Sequence, residues 1–281
     1  MGGGTTREGT VRSDYYHRVM IGGKWGFEDY YTWGHDVIIQ PLYDDAKDFS
    51  EGRAAVQHDG KWGFIDSTGV VVIPVIYDDV TSFNCGLAGV RMGKWGFIDG
   101  KGALIVSTIY DGINVFSEGL AAVQTSSGWG YVNRLGILSV SPAYDGVGRF
   151  CHGFARVQVR DRWGFINSKG TVVVPTVYEA AADFCCGLAR VRIGDRQGFV
   201  DTEGALVAPL KYEDALDFSE YFAAVKLDGR WGFIDLTGNV VISAVYYDVQ
   251  SFKGGLARVR VNGYDTNDWR VIDTRGALRN E

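Results

Sequence analysis

Short apolar runs alternate with turn-forming residues along almost the whole chain. In residues 53–74 three such runs follow one another: 53–58 (RAAVQH), 61–66 (KWGFID) and 70–74 (VVVIP). Each is rich in β-branched or aromatic residues, bounded by Gly or Pro, and too short for a helix, so each predicts a strand. Asp59-Gly60 between the first two signals a two-residue hairpin, and Asp228-Gly229 and Asn262-Gly263 signal the same. Asp66-Ser67-Thr68-Gly69 predicts a turn in which the carboxylate accepts backbone N–H groups and Gly supplies positive φ. Pro74 has no N–H to donate and is expected to end the third strand. Side chains alternate along a strand, so Trp62 and Phe64 share one face while Gly63 and Ile65 share the other. Apolar groups on both faces mean cover on both sides, and Gly63 leaves room for a neighbouring backbone or ring. No helix-length amphipathic segment occurs; 179–184 and 213–218 allow one helical turn at most.

The same pattern recurs. The position of Trp62 is held by Trp25, Trp95, Trp129, Trp163, Gln197, Trp231 and Trp269, at spacings of 37, 33, 34, 34, 34, 34 and 38 residues. The Asp-x-x-Gly turn recurs as Asp99/Gly102, Asn133/Gly136, Asn167/Gly170, Asp201/Gly204, Asp235/Gly238 and Asp273/Gly276. A Tyr series (Tyr43, Tyr77, Tyr110, Tyr144, Tyr178, Tyr212, Tyr247) and a Phe series (Phe49, Phe83, Phe116, Phe150, Phe184, Phe218, Phe252) complete each unit. A unit this small cannot bury two apolar faces alone, so neighbouring units must stack. The expected fold is all-β: tandem β-hairpin repeats of about 34 residues in an open superhelix. A closed β-propeller-like toroid is the alternative. The open stack is favoured because a four-stranded blade usually needs roughly 40 residues or more, and no surplus strand stands at either end to lock a ring. Residues 1–14 read as a flexible tail, and 15–281 as one domain of seven full units plus a partial eighth.

Composition narrows the partners. Hydrophobic residues make up 46% and aromatics 14% of 281 residues, enough for a large core, and net charge is −6. No basic run resembles a nucleic-acid footprint, so nucleic acid is not an expected partner. No stretch approaches 18 consecutive apolar residues, so no membrane-spanning helix is expected. The N-terminus lacks the apolar core of a secretory signal, which points to a cytoplasmic location; Gly2 and Thr6 fit a loose myristoylation pattern. The four cysteines (Cys85, Cys151, Cys185, Cys186) form no Cys-x-x-Cys pair, and their low number fits a reducing compartment.

The Lys-Trp-Gly-Phe-Ile-Asp, Val-Ile-Pro, Tyr-Asp and Gly-Leu-Ala-x-Val blocks together resemble the WG (KWG) repeats of many bacterial proteins, over roughly residues 15–279. The resemblance implies an all-β repeat used as an interaction module, and brings no enzymatic activity, cofactor or catalytic residue with it. This chain departs from the pattern at Gln197, at Tyr131 and Asn133, in an insertion after Asp29, and throughout its eighth unit.

Candidate chemistry is sparse. The repeated Asp residues lack the dense Gly-Gly-x-Gly-x-Asp pattern of calcium-binding repeats and have turns to cap. The Tyr-Asp pairs could supply carboxylates for glycoside hydrolysis, but a residue repeated in every unit is better explained by stacking than by one active site. The Trp series could form a glycan platform if exposed, although Trp inside an apolar strand belongs to a core more often; Gln197 suggests that the ring sits near a surface. The four histidines are scattered, without zinc spacing. Cys151 and Cys185 hold equivalent positions in adjacent units and are expected to pack side by side, with a redox pair as the alternative. Contact residues are therefore sought where the pattern breaks: Tyr30, Tyr31, Trp33 and His35 in the insertion, Gln197, and Tyr264 and Asp265 in the last loop. The expected function is a non-enzymatic scaffold for a protein or peptide partner, without cofactor or metal. The alternatives are a glycan-binding module and a propeller-type hydrolase.

Overall fold

The computed structural model describes residues 16–29, 36–263 and 268–279. These residues contain no helix and form eight small antiparallel sheets, none closed into a barrel. Strands pair in sequence order, so every sheet is a meander. Each sheet is named here by the residue at the Trp position. The Trp62 sheet runs Asp45–Ala46, Arg53–His58, Lys61–Asp66, Val71–Tyr77. The two central strands of this sheet fall where the apolar runs predict them.

Several expectations change. A fourth strand of two residues follows each Tyr, so Ala180–Ala181 and Asp214–Ala215 are strands rather than helical turns. The third strand also runs on through Pro74 to Tyr77. Its register jumps between Phe64↔Ile73 and Trp62↔Tyr77, so Pro74 sits in a bulge of an edge strand, where a missing N–H is tolerated. The register also corrects the Tyr series: Trp231 pairs with Tyr246, not Tyr247.

The bulge explains the Gly of Trp-Gly. A Cβ on Gly63 would lie 2.7 Å from Ile73 O and 2.8 Å from Pro74 C, and one on Gly198 would lie 2.5 Å from Ala208 O. The third strand folds over this backbone, and only hydrogen fits beneath it.

The Asp59-Gly60 and Asp228-Gly229 hairpins form as predicted, with φ of 50° and 75° in the first and 50° and 74° in the second. Asn262-Gly263 does not form one: Gly263 has no positive φ, and the flanking strands end at Arg260 and begin at Trp269. Here Gly serves a close approach instead, since a Cβ would lie 2.6 Å from Tyr247 Cδ1. A second family of tight hairpins joins the short strand to the next, and in the sequence only its Gly marks it. Glu51-Gly52, Cys85-Gly86, His152-Gly153 and Cys186-Gly187 all have positive φ at both residues. Ser50 and Arg53 exchange backbone bonds of 2.9 and 3.1 Å across the first.

The Asp-x-x-Gly turns are capped as predicted. Asp66 Oδ1 accepts the N–H of Thr68 at 2.9 Å and of Val70 at 3.1 Å, and the Thr68 hydroxyl and these N–H groups hold its carboxyl below the usual range. Asn133 and Asn167 make the same two bonds without a charge.

The chain divides into two compact units, residues 1–126 with 131–138, and residues 127–130 with 139–281. In the first, Trp62, Phe64, Ile73 and Tyr77 pack on Val80, Phe83, Ala88, Val90 and Ile98 of the next sheet. From the other face Ala54, Val56 and Ile65 pack on Phe27 and Ile39. Both faces of the strand are thus buried, as its continuous apolar pattern predicts. Phe64 meets Phe83 edge-on at 4.9 Å. In the second unit Phe165–Phe184, Phe199–Phe218 and Phe233–Phe252 repeat this contact at 4.7, 4.9 and 4.9 Å. Burying each such ring stabilises by about 1.5–3 kcal/mol. An exposed ion pair such as Lys61–Asp78, at 2.6 Å, contributes about 0–1 kcal/mol. Aromatic burial therefore carries the stacking, and the recurring charges organise turns.

Candidate functional site

Of the residues singled out by the broken pattern, Tyr30, Tyr31, Trp33, His35, Tyr264 and Asp265 lie outside the described residues. Gln197 is described, and it is buried, with 9% of its surface exposed.

Gln197 sits on Arg196–Asp201 and pairs with Arg192 and Tyr212, the register that Trp163 has with Gln158 and Tyr178. The backbone therefore treats amide and indole alike. Around the Trp rings the surroundings are consistent. Trp62 and Trp231 are buried and Trp25, Trp95, Trp163 and Trp269 half-buried. A cation lies over each of these six: Arg18, Lys47, Arg91, Arg156, Lys226 and Arg258, at 5.1–6.0 Å from the ring centroids. The ring thus does lie near the surface, yet one face is already covered.

At Gln197 the cation remains and the ring does not. Arg190 stands where Arg156 stands beside Trp163. Its Nη1 donates to Gln197 Oε1 at 2.9 Å and its Nε to Asp217 Oδ1 at 2.8 Å. Gln197 Nε2 donates to Asp214 Oδ1 at 2.9 Å. The buried amide thus has partners at both ends, as burial of a polar group requires. Beside it is a cavity of about 210 Å³ whose walls include Arg156, Ala181, Ala182, Arg190, Arg192 and Gln197. Sequence reading found Gln197 but missed these neighbours. Arg190 had a signal, because it aligns with Arg18, Arg156 and Arg258, each seven or more residues before its Trp.

The recurring carboxylates have structural work. Asp78 accepts the Gly93 N–H at 2.8 Å and pairs with Lys61 at 2.6 Å, and the two bonds hold its carboxyl below the usual range. Glu179 does the same with the Gly194 N–H and Arg162. Each Tyr-Asp carboxylate described in this way ties the hairpin turn to the basic residue before the Trp position. Asp44, His58 and Asp59 bring possible metal-ligand atoms within 4.8 Å of one another, all exposed. Asp44, however, already accepts the Asp59 N–H and pairs with Lys24. The four cysteines are thiols that form no disulfide. Burial, with Cys186 and then Asp217 and Cys151 nearby, pushes the Cys185 thiol up to about 11, which keeps it protonated at neutral pH.

Comparison with solved structures places this fold among known ones. The structure of a eukaryotic initiation factor matches over 95% of this chain and 85% of its own, at 11% identity and a TM-score of 0.51. Hsv2p of Kluyveromyces lactis matches over 84% and 97%, at 11% identity and a TM-score of 0.40. PorZ of Porphyromonas gingivalis matches over 84% and 37%, at 8% identity and a TM-score of 0.33. At 11% identity the likeness to the initiation factor speaks of fold alone, and the other two likenesses are too loose to carry even that. No curated protein matches the sequence. The model of the WG containing repeat matches seven times in tandem, over residues 35–62, 62–94, 95–127, 129–163, 163–196, 198–231 and 231–264. The fifth and sixth matches stop on either side of Gln197. The matches leave little of the chain uncovered, and the protein belongs to the WG containing repeat family.

Proposed function

We propose that this repeat scaffold binds a protein or peptide partner through the outermost strands of its sheets, without chemistry of its own. One observation carries the reading. In the Trp62, Trp95, Trp163 and Trp231 sheets the third long strand is an edge strand, and it exposes large apolar side chains at recurring positions. In the first unit these include Val71 and Ile76, 48% exposed each, with Leu104 and Ile109 at 54% and 61% in the next sheet. In the second unit Val172 and Val177 are 52% and 50% exposed, and Val240 and Val245 56% and 57%. Single exposed apolar residues are ordinary, but a row repeated sheet after sheet marks an interaction surface. Repetition also favours multivalent contact, in which weak sites add through effective concentration.

A glycan platform built on the Trp series has less support, because sugars stack on free ring faces and six of these rings carry a cation. The test is capture from native lysate by the wild type and by a variant carrying Val71→Thr, Ile76→Thr, Val172→Thr and Val177→Thr. Threonine keeps β-branching, so the strands should persist. The expected outcome is loss of the partners that the wild type retains. An unchanged partner set, with an unchanged circular dichroism spectrum, would remove the outer strands from the reading.

A further inference from the structure

We infer that the cavity beside Gln197 is a receptor for one planar aromatic side chain presented by a partner protein, which fills the place an indole occupies in the other sheets. This rests on the scaffold reading above and names a specific contact within it.

The register sets the geometry. Gln197 pairs across its sheet as Trp163 does, so the missing ring leaves space at a position where the surrounding strands are built to receive one. The space is large enough: a cavity of roughly 150 Å³ holds a benzene, and this one is about 210 Å³. The wall is also chosen for a ring. Arg190 corresponds to Arg156, whose guanidinium lies 5.3 Å from the centre of Trp163. Asp217 and Gln197 hold the Arg190 guanidinium in place, so a ring entering the cavity meets a fixed cationic plane and loses little to ordering it. The next wall is small. Where Lys47 reaches over Trp62 in its own sheet, this sheet has Ala182, a wall residue too short to cover a ring.

An anion fits the same site less well. Three arginines line it, but Arg156, Arg190 and Arg192 stand 3.2, 2.8 and 3.5 Å from Asp183, Asp217 and Glu179, and Asp214 adds a further carboxylate. The positive charge is matched locally, so a neutral planar group suits the cavity better than phosphate.

The test uses the full chain and indole as the probe, with binding followed by saturation-transfer NMR and calorimetry. The wild type should bind indole with a Kd on the order of 1 mM, as expected for so few atoms. Gln197→Trp should fill the cavity and weaken binding at least tenfold. Because that variant also removes both amide hydrogen bonds, Ala182→Leu serves as a second block; the Trp231 sheet carries Leu216 at the same place. Two controls separate the chemistry: cyclohexanol should bind at least tenfold more weakly than indole, and inorganic phosphate should not compete. No indole binding at 10 mM, equal binding by wild type and both variants, equal binding of cyclohexanol, or displacement by phosphate would each overturn the assignment. Failure here is separable from failure of the scaffold reading. If partner capture survives Gln197→Trp but not the outer-strand variant, the scaffold stands and this site falls. If indole binds as described while capture ignores the outer strands, the cavity stands and the strand surface falls.

Discussion

The Trp163 and Gln197 sheets are consecutive, share one strand order and register, and differ at the residue that gives the family its name. In the first, Arg156 lies over an indole. In the second, Arg190 donates to an amide that is held in turn by Asp214. The comparison separates two parts of the repeat that the sequence presents as one word. The Gly of Trp-Gly is needed by the backbone in both sheets, whereas the Trp fills a slot that a hydrogen-bonded amide can half fill.

The largest expected effect follows from what the two sheets share. Gly164→Val and Gly198→Val should be equally damaging. A Cβ on Gly164 would lie 2.6 Å from Pro175 C, and one on Gly198 2.9 Å from Pro209 C, both backbone atoms that cannot step aside. Each substitution should cost about 3 kcal/mol, at the upper end for overpacking, read as a fall in the urea midpoint. If Gly198→Val proves mild while Gly164→Val is severe, the missing indole has loosened the whole sheet, and the separation of the two parts is wrong.

Next comes the residue that differs. Trp163→Gln should cost about 2 kcal/mol, less than full truncation of a buried aromatic because the ring is half-buried. The new amide would lack what stabilises Gln197, since Ala180 holds the position of Asp214. The melting temperature in the presence and absence of 5 mM indole checks this: the variant should melt lower and recover partly with indole.

Much of this was legible in the sequence. The hairpins at Asp59-Gly60, the Asp-x-x-Gly caps and the two-faced burial of Trp62 to Ile65 follow from local rules, because turn chemistry and alternation act over a few residues. The fourth strand was not legible. Asp45–Ala46 and Ala180–Ala181 are two residues long and have no period to detect. Their hairpins, at Glu51-Gly52 and Cys186-Gly187, place Glu and Cys, which have no turn preference, at positive φ beside the glycine, so the Gly alone marks them in the sequence. Continuation of the third strand past Pro74 was hidden for another reason: whether Pro ends a strand depends on whether its N–H side faces a partner, and that is set by sheet order. At the candidate site the sequence pointed to Gln197 by its oddness, but Asp214, which meets Gln197, and Asp217, which meets Arg190, come from the next sheet.

Those carboxylates give a smaller effect. Asp214 and Asp248 hold equivalent positions, and each accepts the next residue's N–H, at 2.8 and 3.0 Å. Only Asp214 also accepts from a buried amide. Asp214→Ala should therefore cost about 1–2 kcal/mol more than Asp248→Ala, the desolvation cost of one unsatisfied donor. Denaturation of the two variants side by side is the measurement, and equal losses would mean that Gln197 finds water or another acceptor.

The smallest effect concerns the tight hairpins of the same two sheets. Cys186 sits at φ 55°, in the left-handed region that Asn tolerates better. Cys186→Asn should stabilise by about 0.5 kcal/mol. It also removes one of the influences on Cys185, whose thiol is raised to about 11 chiefly by burial and secondly by the Cys186 contact at 3.6 Å. A thiol whose folded pKa exceeds its unfolded value contributes stability that is complete below the unfolded value, about 8.5, and is lost as pH rises through the folded one. The wild type should therefore lose stability between about pH 8.5 and 11. In Cys186→Asn the upper end of that window should move down, while burial keeps it above the ordinary thiol range. Alkylation rates of Cys185 against pH, read by mass spectrometry, measure the shift directly. An unmoved profile would mean that burial alone sets this thiol, and that the paired cysteines of the Gln197 sheet act independently.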